Sequence, residues 1–135
     1  MYSTPYRILL EELKVWRKRP MLNFHFEKGR TRYEIRQINS YLELRAEGRV
    51  MNHCVLTYAN ACRTGRCSIW SFSKYNSENR RRRILTLELC KNEIVQARST
   101  YNRTRINAQD YEILYQWTKQ EKLELDPKKL WLEIV

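Results

Sequence analysis

The sequence has little glycine, little proline and no long apolar segment. Three glycines and three prolines in 135 residues do not fit a collagen-like or a disordered chain. No apolar run approaches the roughly 20 residues that a membrane-spanning helix needs, and the first residues lack the apolar core of a signal peptide. These absences predict one folded domain over residues 1–135, neither exported nor embedded in a membrane, and therefore cytoplasmic.

Motifs for metal and nucleotide chemistry are also scarce. The absence of a phosphate-cradling glycine loop excludes nucleotide hydrolysis of the P-loop type, and no HExxH motif is present. The four cysteines, at positions 54, 62, 67 and 90, form no CxxC pair, and no secretory signal favours disulfides. We therefore predict reduced thiols, no metal site and no cofactor. The minor alternative is zinc bound by ligands drawn from His53, Cys54, Cys62, Cys67 and Cys90.

Positive charge is what the sequence has in excess. Lysine and arginine number 26 against 15 acidic residues, which gives a net charge of +11. Such an excess attracts polyanions and, where it is clustered, releases counterions from phosphate backbones. A solubilising surface or an acidic protein partner is the alternative. The residues predicted to bind nucleic acid form two clusters, namely Arg80, Arg81, Arg82 and Arg83, and Arg17, Lys18 and Arg19.

Hydrophobic periodicity predicts an α+β fold. The elements are arranged in the order α-β-β-α-α-β-β-β-α. An N-terminal hairpin plus a three-stranded meander make an antiparallel β-sheet, which helices pack against. The predicted strands are residues 21–26 and 32–38 in the hairpin and 68–75, 84–90 and 93–100 in the meander. Residues 130–135 are either a last strand or a docking segment.

Local signals place the helix ends. We expect the helix that starts after Ser40 to be interrupted or ended by Gly48, and a second helix to come after it. The apolar pattern of the last helix includes Tyr115 and Trp117. The residues expected to mark helix ends are Pro5, Pro20, Ser40 with Glu43, Gly65 and Asn107.

Two further predictions concern the meander. The arginine run is expected on an exposed loop between its first two strands, with Trp70 and Tyr75 near it for stacking contacts. A tight turn at residues 91–92 pairs Leu89 with Ile94 in the next hairpin. In that register Leu87 lies opposite Gln96 and Glu88 opposite Val95, so Glu88 and Gln96 occupy different faces unless a bulge intervenes.

The segment Glu47-Gly48-Arg49-Val50-Met51-Asn52-His53-Cys54-Val55 is the most informative part of a pattern that carries a family resemblance. The other residues of the pattern are Glu43-Leu44, Tyr58, Cys62, Gly65, Ile69, Ser71, Thr86-Leu87-Glu88, Val95-Gln96, Asn102 and Trp117. This ordered set, over residues 43–117, resembles the PcfJ-like family of mobile elements and conjugative plasmids. The resemblance implies a bacterial or phage setting and transfers no mechanism. Asn52 stands where a second histidine is common in that family, and Ser99 where glycine is usual.

His53, Cys54 and Glu88 are the candidate catalytic residues. Adjacent helical positions point about 100° apart, so His53 is poorly placed to activate Cys54. Oriented by Glu88, however, His53 suits general acid or base work in hydrolysis or group transfer. The alternative is a hydrogen-bonded structural histidine beside a small buried cysteine. We assign Tyr58, Gln96 and Asn102 to the motif as structural residues.

We therefore expect a nucleic-acid-associated accessory domain of a bacterial mobile element or phage. Its basic surface binds the phosphate backbone of DNA or RNA, and no membrane is involved. One alternative is an enzyme that uses His53 with Cys54 or Glu88. Another is a small protein-binding inhibitor of a host complex, whose partner is a host or mobile-element protein.

Overall fold

The computed structural model describes residues 23–52, 62 and 65–135. The predicted first helix with its basic cluster Arg17, Lys18 and Arg19 lies outside these residues, as do His53, Cys54 and Tyr58. No helix in the described ranges is long and apolar enough to cross a membrane. The elements, in chain order, are β1 (Phe24–Lys28), β2 (Thr31–Ile38), α1 (Tyr41–Met51), β3 (Cys67–Tyr75), β4 (Arg81–Cys90), β5 (Glu93–Arg98), a 3-10 turn (Thr100–Asn102), β6 (Arg105–Ile106), α2 (Ala108–Gln120) and β7 (Glu133–Ile134).

Strands β1 to β5 form one antiparallel sheet in the order β1-β2-β3-β4-β5. The predicted hairpin and the predicted meander are continuous, because β2 pairs with β3 and places Ile35 opposite Phe72. Gly29 in the β1–β2 turn has a φ of +62°, a left-handed conformation that glycine adopts without steric cost. The predicted α+β class is confirmed.

Helix α1 begins where the capping pattern predicts. The Ser40 hydroxyl accepts a hydrogen bond from the Glu43 backbone N–H at 3.1 Å, and the Glu43 carboxylate accepts one from the Asn39 N–H at 3.1 Å. The helix continues through Gly48 and ends where Asn52 takes a left-handed φ of 55°. The predicted break at Gly48 is wrong because a glycine inside a helix costs only about 1 kcal/mol, and burial of the helix at Leu44 and Met51 offsets that cost.

One face of the sheet is apolar and packs against α2. Trp70 from β3 and Trp117 from α2 lie with ring centroids 5.1 Å apart, and Asn107 caps α2 by accepting the Asp110 N–H at 2.7 Å. Trp70 is 0% exposed, so the predicted stacking of a base on its ring is wrong. Tyr115 is 42% exposed and does not belong to the buried stripe of α2, contrary to prediction.

The C-terminal segment returns to the start of α2. β6 and β7 pair in parallel, with Arg105 opposite Glu133, so a last strand is the alternative that the structure adopts. The Val135 carbonyl accepts a hydrogen bond from the Ala108 N–H at 2.8 Å. This arrangement places Arg105 beside the first residues of α2.

Cys67 and Cys90 form a disulfide, so the predicted reduced state is wrong for this pair. The two residues face each other on β3 and β4, and their Cα atoms lie 4.4 Å apart. Their separation of 23 residues in the sequence gives no sign of this register. Cys62 is a free, buried thiol.

Candidate functional site

Most of the arginine run belongs to strand β4. The hairpin pairs Tyr75 with Arg81, Lys74 with Arg82 and Ser73 with Arg83, so the loop is shorter than predicted and only Arg80 remains in it. The prediction of a loop for all four arginines is wrong because pairing with β3 extends the strand. Alternation along β4 then sends Arg81 and Arg83 to the polar face of the sheet and Arg82 to the opposite face.

Helix α1 places the Glu47 carboxylate on the polar face. Glu47 is 1% exposed. Its Oε1 accepts hydrogen bonds from the Ser71 hydroxyl at 2.9 Å and from Arg83 Nε at 2.7 Å, and its Oε2 accepts one from the Thr86 hydroxyl at 2.6 Å. A buried carboxylate is tolerated when it is paired and hydrogen-bonded in this way. Glu47 therefore joins α1 to strands β3 and β4.

Arg81 extends this network along the polar face. Its Nη2 donates to the Ser71 hydroxyl at 3.0 Å and its Nε donates to the Ser73 hydroxyl at 3.0 Å. Burial, and secondarily the neighbouring Arg83 guanidinium, lower the pKa of Arg81. Arg81 and Arg83 are thus engaged inside the fold and hold β4 in place.

Glu88 and Gln96 lie opposite each other on β4 and β5. The predicted pair of Leu89 with Ile94 is confirmed, but an irregularity between Glu88 and Leu89 shifts the register, so that Leu87 pairs with Ala97. The predicted pairing of Glu88 with Val95 is wrong, because Val95 is the additional residue of this bulge and is 41% exposed. The bulge brings Glu88 and Gln96 to the same face of the sheet.

Glu88 is partly buried and lies close to the sulfur atoms of Cys67 and Cys90. Burial raises the pKa of the Glu88 carboxyl. Burial, and secondarily the Glu88 carboxylate, raise the pKa of the Cys62 thiol to about 11. The ligand atoms of Cys67, Glu88 and Cys90 lie within 4.8 Å of one another. Since the two cysteines are joined as a disulfide, they present no thiolate to a metal ion.

A basic cleft of about 320 Å³ lies between β4, the segment before β6 and the start of α2. Arg82 lines this cleft and also a second one of about 290 Å³, next to Lys74 and Arg80. We call the first of these the arginine cleft. Its lining residues are Arg82, Arg83, Ile84, Ser99, Thr100, Arg103, Arg105, Asn107, Asp110 and Val135.

Asp110 contributes the acidic side chain of the arginine cleft, and it is already engaged. Its carboxylate accepts a hydrogen bond from the Tyr33 hydroxyl at 2.9 Å and forms an ion pair with Lys74 at 3.1 Å. Burial, and then the hydrogen bond to Asp110, raise the pKa of Tyr33 to about 12. Among the described residues, no carboxylate side chain forms an ion pair with Arg82, Arg103 or Arg105. The cleft is therefore a concentration of positive charge.

The motif residue Asn102 lies in the turn that borders the arginine cleft. Tyr101 and Asn102 both have positive φ angles, 60° and 63°. The turn is closed by the Ser99 N–H, which donates to the Arg103 carbonyl at 2.7 Å. Asn102 suits a left-handed conformation, whereas tyrosine is seldom found in it.

A protein-family model matches most of the chain. It is described as PcfJ-like protein and covers residues 7–114. The chain belongs to the PcfJ-like protein family. The match reaches further towards the N-terminus than residues 43–117, where the sequence pattern shows the resemblance. No curated protein and no solved structure matches the chain.

In this PcfJ-like chain the predicted site residues are distributed over different places. Glu88 and Gln96 are brought together on the polar face, Arg82 reaches the arginine cleft, and Asn102 lies beside that cleft. The sequence did not indicate the roles of Glu47 and Tyr101, and Arg103 and Arg105 contributed there only to the overall charge. Glu47 is part of the family segment, which was a usable signal, whereas the remaining three are revealed only by the tertiary arrangement.

Proposed function

We propose that this PcfJ-like domain binds the phosphate backbone of nucleic acid as an accessory domain of a bacterial mobile element or phage, in the cytoplasm. The observation that carries this proposal is the arginine cleft. Arg82 from β4 and the neighbouring Arg103 and Arg105, just before and within β6, approach it from two separate parts of the chain. Such convergence differs from a solubilising surface, in which cations are dispersed among acidic residues.

The cleft has the chemistry that phosphate requires. Guanidinium groups present a planar fork of donors that matches two phosphate oxygens. Ser99 and Thr100 add hydroxyl groups to the lining, and hydroxyls commonly position a phosphate backbone. Arg82 extends from a strand that Arg81 and Arg83 fix through Ser71, Ser73 and Glu47, so its backbone position is set before a ligand arrives.

Steep salt dependence is the expected property of this binding. We expect a fluorescein-labelled oligonucleotide to bind at low salt and its affinity to fall on the order of 100-fold between about 50 and about 200 mM salt, as four phosphate contacts would give. Fluorescence anisotropy over a series of salt concentrations measures this directly. Absence of binding at low salt, or an affinity that does not change with salt, would contradict the proposal.

The bulge at Val95 favours a second candidate function, an enzyme of hydrolysis or group transfer. It places Glu88 and Gln96 on one face, and burial raises the pKa of Glu88, which suits a general acid or base. In this function His53 is the reactive partner of Glu88.

The His53→Ala and Glu88→Gln variants test this second function. If both residues serve one reaction, each variant is expected to remain folded and to lose the biological effect of the domain, and the double variant loses no more than either one. The readout is propagation or transfer of the element that carries the chain, with Glu93→Gln in β5 as the control. Full biological effect in a folded His53→Ala variant would rule out this function.

A further inference from the structure

Tyr101 is an exposed aromatic residue next to the arginine cleft. Its side chain is 62% exposed, and the guanidinium carbon of Arg103 lies 5.7 Å from the centre of its ring. Thr100 and Arg103, the residues on either side of the 101–102 pair, both line the cleft. The ring and the phosphate-binding cations are therefore within reach of neighbouring parts of one ligand.

The backbone of Tyr101 is in a conformation that its side chain does not explain. The residue has φ 60° and ψ 32°, and a non-glycine residue held in this region costs on the order of 1–3 kcal/mol. Burial of the ring would offset that cost, but the ring is largely in solvent. Strain of this kind is concentrated at ligand-binding sites, which points to a role for the ring outside the folded core.

Tyr75, which the sequence suggested for stacking together with Trp70, is less available. The guanidinium carbon of Arg32 lies 4.5 Å from the centre of its ring, and its hydroxyl donates to Glu34 at 3.5 Å. Arg32 is itself held by Asn79, whose side-chain carbonyl accepts from its Nη2 at 2.7 Å. One face of Tyr75 is thus covered, and Tyr101 is the better platform.

We propose that Tyr101 stacks on an unpaired base, so that the arginine cleft takes single-stranded DNA or RNA in preference to a duplex. This inference rests on the proposed function, because it assumes that the cleft holds the phosphates. Every base has a π-face, so stacking on an aromatic ring tolerates any sequence. In a duplex those faces are covered by neighbouring base pairs, whereas a single strand can turn a base outward onto the ring while its phosphate meets Arg103.

The test compares ring-removing and ring-keeping variants at position 101. Tyr101→Asn removes the ring and keeps a residue that tolerates the left-handed backbone, whereas Tyr101→Phe keeps the ring. The matched control is Tyr115→Ala, because Tyr115 is also exposed and also has a cation near its ring, Lys119 Nζ at 5.5 Å. The probes are oligo(dT), oligo(rU) and a DNA duplex of equal length, measured by anisotropy at low salt.

We expect Tyr101→Asn to weaken binding of the single strands on the order of 10-fold, from the loss of one stacked base. Duplex binding should change by less than about twofold, and Tyr101→Phe and Tyr115→Ala should match the unmodified chain. A thermal unfolding midpoint of the Asn variant at or above that of the unmodified chain establishes that folding is intact. If the midpoint is lower, Tyr101→Gly replaces Tyr101→Asn in the test.

The outcomes separate this inference from the proposed function. If the Asn or Gly variant binds single strands as well as the unmodified chain, or if the duplex binds more tightly than the single strands, the stacking role is overturned while phosphate binding stands. If neither single strand nor duplex binds the unmodified chain at low salt, the proposed function fails and this inference fails with it. Equal effects on oligo(dT) and oligo(rU) indicate stacking without discrimination of the sugar, as proposed.

Discussion

Replacing Glu47 with alanine is expected to lower the free energy of unfolding by about 3–5 kcal/mol. The change leaves the Arg83 guanidinium, whose side chain is only 17% exposed, without its counter-charge in a partly buried place. It also removes the acceptor for the Ser71 and Thr86 hydroxyls. Urea denaturation followed by circular dichroism measures the loss.

Two further variants make this prediction specific. Arg49→Ala, on an exposed position of the same helix, should change stability by no more than about 0.5 kcal/mol. The double variant Glu47→Leu with Arg83→Met removes both charges together and should recover most of the loss, because a buried ion pair and a hydrophobic pair of similar size are often equivalent. A loss below about 1 kcal/mol for Glu47→Ala would show that the network does not join α1 to the sheet.

Removing the three arginines of the arginine cleft other than Arg83, which is paired with Glu47, is expected to weaken nucleic-acid binding on the order of 100-fold at low salt, since phosphate contacts supply nearly all of non-specific affinity. The triple variant is Arg82→Ala, Arg103→Ala and Arg105→Ala. None of these side chains is part of the Glu47 network, so folding should be unaffected. Anisotropy with the same oligonucleotides measures the change, and a thermal melt checks the fold.

A second triple variant provides the control. Lys119→Ala, Lys128→Ala and Lys129→Ala remove the same total charge from exposed positions that are not among the lining residues of the arginine cleft. If binding depends on that cleft, this variant keeps affinity within about threefold, since it loses only long-range attraction. Equal losses in the two triple variants would indicate that net charge alone attracts the nucleic acid, with no localised site.

Much of the fold was predictable because its signals are local. The β1–β2 turn needs a residue with positive φ, and Gly29 supplies it. The start of α1 needs a side-chain oxygen as a hydrogen-bond acceptor, and Ser40 supplies it. Asn107 does the same for α2. Each of these requirements concerns one residue and its immediate neighbours, so a single sequence is sufficient to reveal it.

The bulge in β5 was not predictable from its sequence. The turn at residues 91–92 suggested strict pairing, and this pairing holds only as far as Leu89 with Ile94. One additional residue, Val95, then places every later residue of β5 on the face of the sheet opposite to the one that strict pairing predicts. The alternation of residues in the sequence does not indicate which strand accommodates an extra residue. Only the structure therefore shows that Glu88 and Gln96 lie on the same face of the sheet.

The positions of the side chains in the arginine run were also not predictable from the sequence. Consecutive arginines suggest a solvated loop, but strand geometry separates neighbours onto opposite faces. Arg81 and Arg83 find buried partners from β3 and α1, whereas Arg82 lines the cleft without a carboxylate partner among the described residues. Arg103 and Arg105 join it from a distant part of the chain, and such a convergence is a property of tertiary structure alone.

The salt dependence of binding tests the role of the arginine cleft most directly. Each arginine that contacts a phosphate releases about one counterion, so its loss lowers the slope of log affinity against log salt by about one unit. We predict that the slope for the Arg82, Arg103 and Arg105 triple variant is smaller than that of the unmodified chain by about three units on a duplex and about two on a single strand. Equal slopes for the two proteins would show that these arginines do not contact the phosphates and would contradict the proposed site.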